Sequence, residues 1–367
     1  MGVSTIDLDL APMPRRPSRT DWQIGCIGAG FIMADVQIPA YQAAGYRVAA
    51  IASRTPEHAG AVAAARSIET VHATWSDLLD DERIQVVDIA FPPDQQLAIV
   101  EQACTRSHIK GILAQKPLAA NYAEAKQLVE LCTASGTALA VNQNMRYDQS
   151  IRALKTVLER GYLGEPVLAT IEMRAIPHWQ PFLENSPRLT LANMSIHHID
   201  CFRHLFGDPE GIFVSARTDP RTTFEHRDGI CLYILEYANG MRASAWDDVW
   251  TGPVREGSEG DIYLKWRVEG TAGLAWGTIG WPYYPTPTPS TLTFTTTRDP
   301  GYVFAPKWPQ VWFPDAFSGT MGALFDVLNG EQNLLSGTDN LATMALVEAG
   351  YRSLDEKRLV RTDEITG

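Results

Sequence analysis

The stretch Ile24-Gly25-Cys26-Ile27-Gly28-Ala29-Gly30-Phe31-Ile32-Met33 runs from an apolar segment through a Gly-Ala-Gly turn into a helical pattern. In a strand, turn and helix of this kind, Gly28 would form the tight turn. Gly30 would let a pyrophosphate approach the backbone at the helix N-terminus. Met33 stands where the complete GxGxxG pattern has its third glycine, so a plain strand-to-helix turn is the alternative. The surrounding pattern favours a nicotinamide dinucleotide site.

Short apolar runs alternate with helical segments through the first 147 residues. They cover residues 24–27, 47–53, a weak run near Val71, 86–90, 111–114 and 138–141. Alternation of this kind is typical of βαβ units and a doubly wound parallel sheet. We therefore predict an N-terminal Rossmann domain.

The periodicity changes after Tyr147. A helical stretch at 151–160 leads to breaks at Gly161 and Gly164, and an Asn239-Gly240 hairpin turn lies among β-rich runs at 167–174, 212–216, 229–237, 241–249, 261–270 and 291–297. Helical patterns cover 191–206, 317–328 and 338–353. The pattern predicts a C-terminal α/β domain with a large, mostly antiparallel, open sheet.

These patterns predict a domain division. We expect a flexible tail at 1–20, a Rossmann domain at 21–147 and a substrate and oligomerisation domain at 148–367. A linker helix at 148–160 would open the second domain. The helix near 338–353 would pack on the second domain's sheet or back on the first domain.

Composition excludes several classes of protein. The chain has 367 residues, is 45% hydrophobic, and carries 31 Lys and Arg against 43 Asp and Glu. Its net charge of -12 would repel a nucleic acid backbone, and no apolar run is long enough for a membrane span. The five cysteines include no CxxC pair, so no disulfide framework or zinc site is expected. We expect a globular cytoplasmic protein.

The second apolar run ends in Ala52-Ser53-Arg54-Thr55. An NAD site usually has an Asp or Glu here for the ribose 2′-hydroxyl, and this sequence has neither. Ser53 and Arg54 could accept a 2′-phosphate instead, although an arginine stacks on either cofactor. NAD or NADP is expected, with the residues favouring NADP or dual use.

The fifth apolar run ends in Leu113-Ala114-Gln115-Lys116-Pro117-Leu118. This places Lys116 at the carboxyl edge of the predicted sheet, where open α/β sheets bind ligands. Taken alone, this fragment would indicate a solvent-exposed lysine before a turn that begins with proline.

Four segments together resemble the Gfo/Idh/MocA family. They are Gly28-Ala29-Gly30, Ala90-Phe91-Pro92-Pro93, Lys116-Pro117 and Ile196-His197-His198-Ile199-Asp200. Their order and spacing agree with the family from about residue 22 to 355, and Glu269-Gly270-Thr271-Ala272-Gly273 is similar to its Gly-Thr-x-Gly turn.

The resemblance implies hydride transfer between NAD(P) and a carbon of a carbohydrate or polyol, in a homodimer or homotetramer formed through the C-terminal sheet. The family's catalytic lysine falls on Lys116, and its second catalytic pair falls on Asn193 and His197. The implied cofactor-binding residues are Gly28, Gly30, Phe31, Ile32, Ser53, Arg54, Phe91, Pro92, Gln96, Gln115, Lys116 and Asn144.

Four positions depart from the family pattern. Gln115 replaces a glutamate, Asn193 an aspartate, Gln96 a histidine and Ser195 a glycine. An amide cannot exchange a proton at neutral pH, so acid and base work would fall to Lys116 and His197. Loss of the neighbouring glutamate should also lower the pKa of Lys116.

The histidine segment allows other interpretations. A helix there buries an apolar stripe, and a hydrogen-bonded core histidine is the ordinary alternative for His197. A metal site built from His197, His198, Asp200 and His204 is not expected, because neighbouring helical residues diverge by about 100°.

A carbohydrate or polyol would be bound by hydroxyl-binding and aromatic side chains. The expected set is Lys116, Arg146, Tyr147, His178, Trp179, Asn193 and His197, with Trp246-Asp247-Asp248 in reserve. Three functions are open at this stage: a dehydrogenase of a secondary hydroxyl or hemiacetal, a glycosidase that uses NAD in transient sugar oxidation, and a non-catalytic sensor.

Overall fold

The computed structural model describes residues 6–174, 181–248, 262–281 and 283–367. The chain divides into two compact units. One holds residues 14–144 and 313–344, and we call it the Rossmann unit. The other, the sheet unit, holds residues 1–13, 145–312 and 345–367. The chain therefore crosses between the units four times, after residues 13, 144, 312 and 344, and the last crossing lies within a helix.

The described residues form fourteen strands and ten α-helices. The strands are β1 (Gln23–Ile27), β2 (Arg47–Ala52), β3 (Thr70–His72), β4 (Val86–Ile89), β5 (Gly111–Ala114), β6 (Ala138–Val141), β7 (Pro166–Arg174), β8 (Gly211–Arg217), β9 (Ile230–Glu236), β10 (Arg242–Asp248), β11 (Tyr263–Gly270), β12 (Gly273–Thr278), β13 (Thr291–Thr296) and β14 (Val360–Arg361). The helices are α1 (Ile38–Ala43), α2 (Pro56–Arg66), α3 (Trp75–Leu79), α4 (Pro93–Cys104), α5 (Tyr122–Ser135), α6 (Gln149–Glu159), α7 (Ile196–Phe206), α8 (Phe317–Leu328), α9 (Gly337–Glu356) and α10 (Asp363–Thr366).

The Rossmann unit is built on a six-stranded parallel sheet in the order β3-β2-β1-β4-β5-β6. Every residue of β4 and β5 is buried, as expected where helices cover both faces of a parallel sheet. The predicted doubly wound sheet is confirmed. Its topological switch point lies between β1 and β4, and the carboxyl ends of all six strands meet at one edge.

Helix α8 belongs to the Rossmann unit, although the sequence prediction assigned its residues to the second domain. It packs against α1, β5 and β6. A Cβ built on Gly111 of β5 would lie 3.1 Å from Leu324 of α8, so the helix sits directly on the strand. Helix α8 covers the apolar face of β5 and β6 although it lies far from these strands in the sequence. Local periodicity does not reveal which sheet a helix covers.

The sheet unit contains an eight-stranded sheet in the order β13-β12-β11-β7-β10-β9-β8-β14. Its neighbours are antiparallel except β7 and β10, which are parallel, and this confirms the predicted architecture. Strand β12 was not predicted, because its two glycines weaken the β pattern. A Cβ on Gly277 would lie 2.0 Å from the Thr291 carbonyl oxygen, so close strand packing explains one of them.

Residues 6–13 differ from the predicted flexible tail. Leu10 is buried, and its carbonyl accepts a hydrogen bond from Thr156 Oγ1 at 3.0 Å. Arg160 donates to the carbonyls of Asp7 and Asp9 at 2.9 and 2.8 Å. The segment is held because polar side chains at the end of α6 satisfy its backbone acceptors, a contact that composition does not reveal. No helix within the described ranges is long and apolar enough to cross a membrane.

Candidate active site

The turn after β1 has the geometry that the Gly-Ala-Gly sequence predicts. Gly28 has φ +118°, and a Cβ there would lie 2.6 Å from the Ala90 carbonyl oxygen, so only glycine fits. Its amide donates to the Ala52 carbonyl at 2.8 Å. A Cβ on Gly30 would meet no atom within 4 Å, which leaves open space beside the backbone at this point. That space is where a pyrophosphate would approach.

The helix after this turn begins with a π-helical segment, Ile32–Gln37, which continues directly into α1. Phe31 precedes it, and its ring lies 6.4 Å from that of Phe313. Phe31 and Ile32 are both half-buried at the start of this helix. The structure thus places both predicted residues at the helix N-terminus, where backbone N–H groups lack helical partners.

The end of β2 carries Ser53 and Arg54. The Ser53 hydroxyl donates to the Thr55 carbonyl at 2.8 Å and accepts from the Thr55 amide at 3.0 Å, so its own turn engages it. Arg54 is exposed, and its guanidinium lies 5.9 Å from the ring of Phe91, just after β4. Pro92 follows as the N-cap residue of α4. Arg54 and Phe91 therefore flank the same part of the sheet edge.

Two buried amides that the sequence analysis missed follow β6. Neither side-chain nitrogen nor oxygen of Asn142 and Gln143 has a hydrogen-bond partner among the described residues. Both side chains are buried, and the predicted Asn144 donates to the Asn142 carbonyl at 3.3 Å. Unsatisfied buried amides are costly, so they indicate a polar group that completes the site. Three successive amides after a buried strand were the available signal.

The loop that carries Lys116 is held by Gln96. The Gln96 amide nitrogen donates to the carbonyls of Gln115, Pro117 and Leu118 at 3.2, 2.9 and 3.3 Å, and its oxygen accepts from the Gln115 amide at 2.7 Å. Gln96 is completely buried. The resemblance implied a cofactor contact for this residue, whereas the structure shows its polar atoms committed to the loop. Gln96 therefore holds the backbone of this loop in place.

The side chain of Gln115 begins a buried hydrogen-bonded chain. Its amide donates to Gln37 Oε1 at 3.0 Å, and Gln37 donates to Asp88 Oδ2 at 2.6 Å. Tyr41 also donates to this carboxylate, at 2.7 Å. Burial raises the pKa of Asp88 to about 7, although the two hydrogen bonds oppose the shift. Gln37, Tyr41 and Asp88 carry no motif, and only the fold brings them together.

Burial also controls the charge of Lys116. It lowers the pKa of the Lys116 ammonium to about 7, because the desolvated cation is disfavoured. The expected direction is thus found, but desolvation is its cause. At neutral pH the amine is divided between its charged and neutral forms, as a group that gives and takes protons requires.

In the sheet unit, His197 lies in the first turn of α7 and Asn193 in the π-helical segment Leu191–Ser195 that precedes it. Both are buried, and the His197 ring meets Trp312 edge-on at 6.4 Å between centroids. An unbroken α-helix was expected over 191–206. The π-helical turn is a difference, and such turns are frequent at functional sites.

The start of this helix is capped from far away in sequence. Asp228 accepts from the backbone amides of Leu189 and Leu191 at 2.9 and 2.8 Å, and from the hydroxyl of Tyr351 at 2.9 Å. Burial raises the pKa of Asp228, and these hydrogen bonds oppose the shift. Because Asp228 lies 39 and 37 residues after Leu189 and Leu191, sequence reasoning missed this cap.

Arg146 is held by a buried carboxylate. Its Nε and Nη2 atoms donate to the two oxygens of Asp200 at 2.6 and 2.7 Å, and both side chains are nearly inaccessible. Arg146 was expected to bind substrate, but this bidentate pair commits two of its donors. The predicted Tyr147 is also buried and lies 5.8 Å beneath the guanidinium of Arg152.

A second buried cluster joins α7 to β10. Asp247 Oδ2 accepts from the Ser195 hydroxyl and lies 3.0 Å from His198 Nδ1. Asp248, beside it, pairs with Arg221 at 2.8 Å. The two carboxylates held in reserve for substrate hydroxyls are therefore engaged inside the protein.

The structure brings the predicted residues together as two sets. Gly28, Gly30, Arg54, Phe91 and Lys116 share the strand ends of the Rossmann unit, and Asn193 and His197 share the start of α7 in the sheet unit. His178 and Trp179 lie outside the described residues. Within the described part of the chain, no group of three His, Cys, Asp or Glu side chains could hold a metal ion.

Comparison with known proteins agrees with this arrangement. Residues 22–143 match the model of an oxidoreductase family with an NAD-binding Rossmann fold, and residues 151–275 match the GFO/IDH/MocA C-terminal domain. The chain is 28% identical over 346 residues to D-apiose dehydrogenase of Rhizobium rhizogenes, which covers 93% of this chain and 97% of that protein. It is 23% identical over 310 residues to myo-inositol 2-dehydrogenase of Thermotoga maritima, covering 82% and 86% of the two chains.

A solved structure shares the whole fold. An oxidoreductase from Agrobacterium radiobacter, determined in complex with NAD+, L-tartaric acid and magnesium, superposes with a TM-score of 0.79 at 26% identity. The match covers 94% of this chain and 99% of that one. This structural match, the glycine turn, the lysine loop held by Gln96 and both domain matches together show that the chain belongs to the Gfo/Idh/MocA family of oxidoreductases.

Proposed function

We propose that this protein is an NAD(P)-dependent dehydrogenase that oxidises a secondary hydroxyl or hemiacetal of a sugar, polyol or glycoside. The observation that carries the proposal is Lys116, an amine with a pKa lowered to about 7 at the carboxyl edge of a dinucleotide-binding sheet. Relatives named for D-apiose and myo-inositol oxidation support a substrate rich in hydroxyl groups.

Lys116 Nζ takes the hydroxyl proton in this proposal. A neutral amine can accept a proton from an alcohol as the alcohol is oxidised, and the resulting ammonium returns it in the reverse direction. Gln96 matters here because it fixes the backbone on both sides of Lys116. Positioned acid or base groups of this kind contribute typically 10²–10⁴-fold to a rate.

His197 and Asn193 have different roles in the proposal. His197 is the second group able to hold or move a proton, since an imidazole titrates near neutral pH. Asn193 orients a hydroxyl by hydrogen bonding, because its amide cannot exchange a proton at neutral pH. The Asp228 cap fixes the start of the helix that carries both.

The residues of the Rossmann unit fit a dinucleotide. The open space at Gly30 and the adjoining helix N-terminus would take the pyrophosphate, and Arg54 with Phe91 would flank the adenosine. The unsatisfied amides of Asn142 and Gln143 would bind the polar groups at the nicotinamide end. When bound, NAD or NADP supplies the two-electron acceptor for the alcohol carbon. The absence of an acid after β2, with Arg54 exposed there, favours NADP or dual use.

We also propose that the protein forms a homodimer or homotetramer through the exposed face of the sheet unit. Phe213, Leu232, Ile234 and Trp276 are each 37–44% exposed. The strand register places Phe213 opposite Ile234, and both lie on the face that also carries Leu232. Phe213, Leu232 and Ile234 form an exposed apolar patch across β8 and β9, and such a patch fits a second copy of the same chain.

The experiment that tests the function mixes the purified protein with sugars, inositols and glycosides and with NAD+ or NADP+, and follows absorbance of the reduced cofactor. The proposal predicts cofactor reduction that depends on one class of these compounds. Release of an aglycone without net reduction would instead identify a glycosidase. Tight nucleotide binding without any turnover would identify a sensor, and either result would contradict the proposal.

A further inference from the structure

Two of the five free cysteines lie next to each other on the outside of the Rossmann sheet. Cys104 is the last residue of α4, Cys132 lies in the last turns of α5, and their Sγ atoms are 3.8 Å apart. No sequence motif indicates this pair, because 28 residues separate the two positions. Cys26, Cys201 and Cys231 are free and buried.

The two thiols differ in a way that suits stepwise chemistry. Cys104 is half-buried, whereas Cys132 is only 2% exposed. Hydrogen bonding from Cys132, with further bonds from Ser135 and Thr137, lowers the pKa of Cys104 to about 6. The same contact with Cys104 raises the pKa of Cys132. Cys104 is therefore the more accessible and the more acidic thiol of the pair.

We propose that Cys104 and Cys132 are a modification site that forms a reversible disulfide when the protein meets a peroxide. The Cys104 thiolate attacks one peroxide oxygen, the O–O bond breaks, and the departing hydroxide takes a proton to leave as water. Cys104 then carries a sulfenic acid. The Cys132 sulfur, losing its proton, attacks the Cys104 sulfur, and the S–O bond breaks to release a second water. The two thiols lose two electrons in total, and hydrogen peroxide gains them.

The geometry allows the second step with a small movement. A disulfide needs its sulfur atoms about 2.05 Å apart, so the pair must close from 3.8 Å by rotation of the two side chains. Cys104 is the last residue of α4, and the turn after it is held by the amides of Thr105 and Arg106, which donate to the Gln102 and Ala103 carbonyls at 3.1 and 3.0 Å. The site is separate from the proposed dehydrogenase chemistry and does not depend on it.

The test oxidises the full-length folded protein with hydrogen peroxide at neutral pH, unfolds it in an alkylating reagent and measures its intact mass. The expected product has lost two hydrogens, carries two alkyl groups fewer than the untreated chain, and yields a linked peptide containing Cys104 and Cys132. Dithiothreitol should restore all the thiols.

Variants separate the two steps. Cys104→Ser should give no disulfide and leave Cys132 alkylated. Cys132→Ala should stop the reaction at a Cys104 sulfenic acid, which dimedone traps. Cys26→Ala is the matched control and should still form the disulfide. Conversion of wild-type Cys104 to sulfinic acid without a disulfide would overturn the proposal, as would a disulfide that persists in Cys104→Ser.

Discussion

At the scale of single residues, the chemistry depends on which ionisable side chains the fold buries away from solvent. The residues next to Lys116 in the sequence would indicate an ordinary surface lysine. Burial is what lowers the pKa of its amine to about 7. The sequence predicted its place at the sheet edge, because the strand before it and the proline after it are local signals. The cause of its pKa shift depends on the packed protein and could not be predicted.

Gly30, in the turn after β1, allows a test that separates folding from cofactor binding. Gly30→Ala should leave the free energy of unfolding within about 0.5 kcal/mol of wild type, because the new methyl group meets no protein atom. It should weaken NAD binding at least about tenfold, or ~1.4 kcal/mol, since the methyl group occupies the space proposed for the pyrophosphate. Calorimetric titration and thermal unfolding measure the two effects.

Gly60→Ala is the matched control. Gly60 lies within α2, and a methyl group there also meets no atom within 4 Å. This variant should gain about 0.5–1 kcal/mol of stability from its better helix propensity and bind NAD normally. Unchanged NAD affinity in Gly30→Ala would refute the proposed pyrophosphate position.

At the scale of elements, helices position the functional groups through contacts that are distant in sequence. The sequence predicted the strands and most helices, because their apolar periodicity is local. It missed the Gln96 bonds to the lysine loop, the Asp228 cap on the π-helical segment and the Arg146–Asp200 pair. Each joins residues 19 or more positions apart, so only the tertiary fold brings them together.

Helix α4 acts on the lysine loop through one side chain, and this can be tested. Gln96→Leu removes every hydrogen bond that Gln96 makes to residues 115–118 and should lower kcat roughly 10- to 100-fold, because a misplaced catalytic group loses rate steeply. NAD affinity should change little. Gln95→Leu, one position earlier on the same helix, is the control and should keep wild-type kcat. Equal losses in both variants would show a general effect on the helix.

At the scale of the whole molecule, the sequence predicted the two architectures but not how the chain is divided between them. Residues 313–344 return to the Rossmann unit, and residues 6–13 pack on α6. Local periodicity does not record which sheet a late helix covers. The buried carboxylates Asp200 and Asp228 accept hydrogen bonds from groups distant in sequence, so they stabilise the fold.

The proposed subunit interface belongs to this scale. Ile234→Lys, combined with Leu232→Lys, places two charges on the exposed face and should convert the oligomer to monomers, since desolvating an unpaired charge is costly. Light scattering after gel filtration measures the mass. Val303→Lys, at a loop position that is 64% exposed, is the control and should keep the wild-type mass. A wild-type protein that is monomeric at micromolar concentration would contradict the proposal.

The most direct test of the central claim is the pH dependence of kcat/KM for alcohol oxidation in wild type, Lys116→Met and the surface control Lys110→Met. A base must be neutral to act, so wild-type kcat/KM should rise with pH through about 7 and then level off, and reduction of the ketone should fall over the same range. Lys116→Met should lose about 10²–10⁴-fold and the limb near pH 7, while still binding NAD. Lys110→Met should match wild type. A Lys116→Met enzyme that keeps wild-type kcat/KM, or keeps the limb near pH 7, would contradict the assignment of Lys116 as the acid and base.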